Sequence, residues 1–221
     1  MKIYEEINDK NGIAYALNNI GLNYRKQGND MKALEYYQKS LKIREEINDK
    51  NGIAMSQINI GVIYDRKGDT HMALEYYHKS LKLYEEITNK KGIALSLNNI
   101  ASAMLNAGQL SEGLSFATRS LRLATELGYP EHIKKAATTL KSIYTKQFNF
   151  KEALSMYELE IQMRDSINNE QTKKASIKKQ FQYEYEKKAA ADSVKHTEEQ
   201  KVKNALLTAQ QAQLKQEKRD D

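Results

Sequence analysis

The heptapeptide NDKNGIA at residues 8–14 returns unchanged at 48–54, and a worn copy, TNKKGIA, stands at 88–94. At this offset of 40 residues Gly12, Gly52 and Gly92 coincide, and so do Gly28, Gly68 and Gly108. ALEYYQKSLK at 33–42 matches ALEYYHKSLK at 73–82, and EGLSFATRSLR at 112–122 is a divergent copy. A fixed period of this size marks a solenoid of stacked supersecondary units, none of which can bury its apolar face alone.

Inside each unit the apolar residues keep a helical period. Leu17, Ile20, Gly21 and Tyr24 fall at i, i+3, i+4 and i+7, and Ala33, Tyr37 and Ser40 share one face of the next segment. Gly28, followed by Asn29 and Asp30, separates the two, because glycine takes the left-handed end position and Asn or Asp caps the next helix. Asn8 and Asn48 are expected to end one hairpin in the same left-handed way, with Asp9 and Asp49 capping the next. In the fourth unit Gly128, Tyr129 and Pro130 replace that pair, glycine just past one helix and proline just inside another. NDKNGIA thus reads as a hinge between stacked hairpins, and Gly12 is short enough for a neighbouring helix to approach closely. The bulk composition agrees. One proline in 221 residues, 29% charge and a mean hydropathy of −0.76 describe an all-helical chain with a very polar surface.

The series Leu17, Ile20, Gly21, Tyr24, Ala33, Tyr37 resembles the tetratricopeptide repeat. The second unit shows Ile60, Gly61, Tyr64, Ala73 and Tyr77, and the third Ile100, Ala101, Met104 and Gly113. The fourth keeps Leu140, Tyr144, Ala153 and Tyr157 but puts Lys141 at the small position. The spacing exceeds the usual ~34 residues and resembles the longer variety of kinesin light chains and many bacterial signalling proteins. The resemblance covers residues 3–168. It implies an all-α, right-handed α-solenoid of stacked helical hairpins with a long C-terminal helix.

Two domains are expected. Residues 1–168 form the array, with a partial unit at 1–10 and units starting near 9, 49, 89 and 129. IYEEINDK at 3–10 aligns with IREEINDK at 43–50, so it reads as the tail of a second helix whose partner lies upstream of Met1. Asn168 is expected to end a helix and Asn169 to cap a capping helix over 169–221. There Phe181 stands where Gly21 stood and Lys188 where Gly28 stood, so no stop signal interrupts it. Ile177, Phe181 and Tyr185 would pack as a lid. Val202, Ala205, Ala209 and Ala212 form a thin coiled-coil seam, a frayed polar helix being the alternative. This order of parts resembles the sensory regions of bacterial membrane signalling proteins. That resemblance implies a periplasmic part of an inner-membrane protein, with the cytoplasm as the alternative.

Composition weighs against several chemistries. There is no cysteine for a thiolate or a zinc ligand. No apolar run of bilayer length occurs, and MKIYEEINDK has no apolar core of a leader. The net charge of +6 is dispersed: 23 Lys/Arg and 20 Asp/Glu lie in 1–168, and 12 and 9 in 169–221. A nucleic-acid partner is therefore not expected. His71 and His78 share a helix face, but Met31 and Gln38 hold the equivalent places and no third ligand follows. The adjacent pairs Glu45/Glu46 and Glu85/Glu86 point in different directions on a helix. Neither an enzyme nor a cofactor or metal is expected.

Of the 14 tyrosines, Tyr37 and Tyr77 read as core, with Tyr36 and Tyr76 half-exposed between hairpins. The face of the first helices opposite the core would line a concave groove for a protein or peptide ligand. It presents Tyr15, Asn18, Asn19 and Arg25, then Asn59, Asp65 and Arg66, then Asn98 and Asn99. Asn19, Asn59 and Asn99 form a ladder, and an amide can pair with any peptide backbone. LNNI at 17–20 and 97–100 resembles the stretch of kinesin light chains whose asparagines contact cargo peptides. The equal alternative is that these amides bond to neighbouring helices and order the stack. The expected function is a protein- or peptide-binding module, the sensory or scaffolding part of a bacterial signal-transduction protein. The alternative is a structural spacer that homodimerises through its C-terminal helix.

Overall fold

The computed structural model describes residues 9–174 and, beyond them, 177, 178, 182, 193, 196, 200 and 203. The chain divides into two compact units, Met1–Ile167 and Asn168–Asp221. All secondary structure among the described residues is helical. In the first unit α1 (Lys10–Lys26) and α2 (Asp30–Glu46) form one hairpin, α3 (Lys50–Arg66) and α4 (Thr70–Glu86) the second. α5 (Lys90–Asn106) and α6 (Leu110–Leu127) form the third, and α7 (Pro130–Lys146) opens the fourth with α8, which is helical from 150 through 174 among the described residues. This is the expected solenoid of stacked α-hairpins.

The helix ends follow the pattern expected from Asp9, Asn29 and Asp49, and Asp69 and Asn89 repeat it. Side chains of Asp9, Asn29, Asp49, Asp69 and Asn89 each accept a backbone N–H three residues on, at 2.9–3.1 Å. Each such cap is worth about 1 kcal/mol over alanine. Asn48 is left-handed at φ 54 and Gly128 at φ 65, with Pro130 opening α7. Asn8 lies outside the described residues. One expectation fails. Asn168 and Asn169 both lie in helical backbone, so no helix ends there. Asparagine costs a helix interior only a fraction of a kcal/mol, and it stops a helix only where the backbone already turns.

The core repeats with the sequence. Ala33 and Tyr37 of α2 pack on Ile60 and Ile63 of α3. Ala73, Tyr77 and Leu81 of α4 meet Leu97, Ile100 and Ala103 of α5, and Ala117 of α6 meets Leu140 and Ile143 of α7. Tyr37 and Tyr77 are buried, as expected. Tyr36 and Tyr76 are half-buried and stack on Tyr24 and Tyr64 of their own hairpins at 5.4 and 5.7 Å, and Tyr76 also packs against the cluster of Ala33, Tyr37, Ile60 and Ile63 that joins the first two hairpins.

Two size exchanges run along the stack. A Cβ on Gly21 would lie 2.7 Å from the Tyr37 ring, and one on Gly61 would lie 2.6 Å from that of Tyr77. In the third hairpin this pair is Ala101 with Ala117; in the fourth it is Lys141 with Tyr157. The hinge has its own exchange. Arg44 lies against Gly52, within 2.6 Å of a Cβ built there, and Tyr84 against Gly92, within 2.3 Å. At the third hinge the small residue has changed sides, as Ala124 and His132.

Candidate functional site

Packing decides which side of the stack is available. First helices touch one another across hairpins, α3 on α5 and α5 on α7, whereas the second helices make no comparable contact with each other. First helices therefore crowd the inner side of the array, and their outward turns carry the residues singled out from the sequence.

Those residues fall into two groups. Tyr15 is 61% exposed, and Asn19 and Asn99 are half-buried, with no side-chain hydrogen bond among the described residues. Arg25 makes no ion pair among the described residues. The others are engaged. Asn59 Nδ2 donates to Asn18 Oδ1 at 2.8 Å, which ties α3 to α1. Asn98 is buried, and its Oδ1 accepts the Thr139 hydroxyl at 3.1 Å, tying α5 to α7. Arg66 Nε lies 3.1 Å from Asp30, and Asp65 accepts from Asn106 Nδ2 at 3.3 Å. Asn18, Asn59 and Asn98 thus join neighbouring first helices, each amide meeting its partner on the next helix of the row.

A cleft sits beside this row, at the hinges. It encloses about 220 Å³ between the first turns of α3, α5 and α7. Met55, Leu95 and the Tyr84 ring form its apolar walls, and Asn51, Lys91 and His132 bring polar groups to it. Tyr84 is fully buried, and that burial pushes its hydroxyl pKa up to about 12, so it stays neutral. Burial, reinforced by Lys135 and Lys91, holds the His132 pKa below the ordinary value, with Glu131 opposing. Lys91 Nζ stands over the Tyr129 ring, 5.2 Å from its centre.

Sequence reasoning missed Asn51, Lys91 and His132. The signal it could have used is His132 itself, the residue that stands where Gly12, Gly52 and Gly92 stand in the other units. No cluster of three or more metal-ligating side chains occurs among the described residues. No described helix is long and apolar enough to cross a membrane. The seam at 202–212, and Phe181 and Tyr185, lie outside the described residues.

Comparison with known proteins agrees with this architecture. Residues 12–86 match the family model described as Tetratricopeptide repeat. No curated protein matches the chain in sequence. Among solved structures, BtubC (BKLC) from P. vanneervenii is 18% identical with a TM-score of 0.63, over 72% of this chain and 66% of that one. A Rap protein complexed with competence and sporulation factor is 17% identical with a TM-score of 0.64, over 70% of this chain and 44% of that one. A Podosopora anserina kinesin light chain with nearly identical TPR-like repeats is 14% identical with a TM-score of 0.53, over 70% of this chain and 76% of that one. The chain spans less than half of the Rap protein. At these identities the shared property is the fold: a solenoid of stacked α-hairpins of the tetratricopeptide kind.

Proposed function

We propose that this chain is a protein- or peptide-binding repeat module whose ligand lies along the row of first helices. The observation that carries the reading is the pair Asn19 and Asn99, whose amides bond no side chain or backbone among the described residues, beside exposed Tyr15 and an Arg25 with no ion pair among them. Each free amide offers a donor and an acceptor to an extended backbone whatever its sequence. The tetratricopeptide match at 12–86 supports the reading, and so does the likeness to a Rap protein complexed with competence and sporulation factor. Within it, residues 1–168 are the binding array. Residues 169–221 connect the array to an output or to a second copy, as in the sensory or scaffolding part of a bacterial signal-transduction protein.

The test is a peptide selected from a random library against the full chain. Asn19→Ala with Asn99→Ala removes about two hydrogen bonds of ~1 kcal/mol each. Binding should weaken roughly thirtyfold while the far-ultraviolet spectrum stays helical. Unchanged affinity in a calorimetric titration would take the asparagine row out of the mechanism.

A further inference from the structure

We propose that the hinge cleft is a second binding site, separate from the asparagine row, for a carboxylate carried on a short branched aliphatic body. Asn89 Oδ1 is occupied by the Gly92 N–H at 3.0 Å, and Asn51 Oδ1 by Asn89 Nδ2 at 2.8 Å. Each amide oxygen thus already accepts a hydrogen bond from the protein, and the Asn51 amide keeps its N–H donors. The remaining polar groups are the Lys91 ammonium, which has no carboxylate partner among the described residues, and the His132 imidazole. No carboxylate lines the cleft. A site that offers donors and a cation but no charged acceptor selects an anion.

Placement strengthens that preference. Asn51, Lys91 and His132 each sit in the first turn of a helix, where the backbone carries partial positive charge. Size and wall chemistry define the rest of the ligand. The volume of about 220 Å³ is below the ~300–1,000 Å³ of sites for whole drug-sized molecules, so it suits one branched side chain with its acid group. Met55, Leu95 and the Tyr84 ring would cover that body. The cleft exists because Gly92 lets Tyr84 lie flat under it. It is distinct to this hinge because the equivalent place one unit earlier is taken by Arg44, whose Nη1 donates to the Gly52 carbonyl at 2.7 Å.

The probe is 4-methylpentanoate, titrated into the full chain and followed by amide resonances. Saturable shifts at Asn51, Lys91 and Leu95 are expected, with 4-methylpentanamide binding at least tenfold more weakly. Lys91→Met should lower affinity for the acid at least tenfold and leave that for the amide unchanged. Leu95→Trp, which fills the cleft, should abolish both. Displacement of the acid by a tripeptide ending in free leucine would make the natural source a chain terminus; failure of the tripeptide to compete would make it a free acid. Asn19→Ala with Asn99→Ala should leave acid binding intact, so the cleft and the asparagine row stand or fall separately. Equal affinity for acid and amide, shifts confined to other residues, or no saturable binding would overturn the assignment.

Discussion

The second and fourth hairpins hold the same tyrosine in opposite circumstances. Tyr77 is 1% exposed, seated over Gly61, whereas Tyr157 is 47% exposed beside Lys141. Lys141 Nζ bonds Glu160 at 2.7 Å and stands over the Tyr157 ring, 5.3 Å from its centre. Where the partner has no side chain, the ring becomes core; where the partner is a long cation, the ring becomes its lid. The turns diverge in parallel. Gly68 takes a left-handed conformation at φ 80 in the second hairpin, and an exposed Phe148 takes it at φ 58 in the fourth. Side-chain caps hold the helices of the first two hairpins and α5, but Gln109 and Tyr129 provide none for α6 and α7. The array is therefore tightly specified at its beginning and loosely at its end.

The largest test of this contrast is truncation of the two rings. Tyr77→Ala should cost about 3–5 kcal/mol in urea unfolding, the range for large-to-small core changes. Tyr157→Ala should stay within about 0.5 kcal/mol, as exposed substitutions do. Equal losses would break the comparison. Next come the partners. Gly61→Ala drives a methyl into the Tyr77 ring and should cost about 1–3 kcal/mol despite better helix propensity. Lys141→Ala removes a half-exposed ion pair and should cost at most about 1 kcal/mol.

A smaller effect of opposite sign is expected at the turn. Phe148→Gly relieves a left-handed residue and should raise stability by about 1 kcal/mol, visible as a higher melting temperature; a lower one would mean that the Phe148–Phe150 contact at 6.2 Å outweighs the strain.

The smallest effect is electrostatic. Because folding lowers the His132 pKa, the unfolded chain binds that proton first as pH falls. The contribution of neutral His132 is complete above the unfolded value of ~6.5 and declines as pH drops through that value toward the folded one. His132→Gln should flatten this part of the stability–pH profile, and an unchanged slope would assign it to other groups.

Much of the fold was legible because its causes are local. Glycine or asparagine at a turn, Asp or Asn three residues before a free N–H, and apolar residues at helical spacing each act within one turn. The exception, Asn168, shows the limit: the residue permits a stop but does not impose one. The site was legible only in part. A helical wheel places Asn18, Asn19, Asn59, Asn98 and Asn99 on related faces, but it carries no register between hairpins. That register turns Asn18, Asn59 and Asn98 into ties and leaves Asn19 and Asn99 unengaged. The cleft was illegible for the same reason, since its polar residues come from three different units.

Periodicity by itself determined that this chain is a stack of α-hairpins and where each one turns, because helix formation and capping depend on neighbours within about four residues. Tertiary structure alone decided which copy of a repeated residue is buried, which amide is spent and where a cleft opens. Those outcomes depend on side-chain volumes meeting across 16 to 41 residues of chain, as in Lys141 with Tyr157 and Asn98 with Thr139.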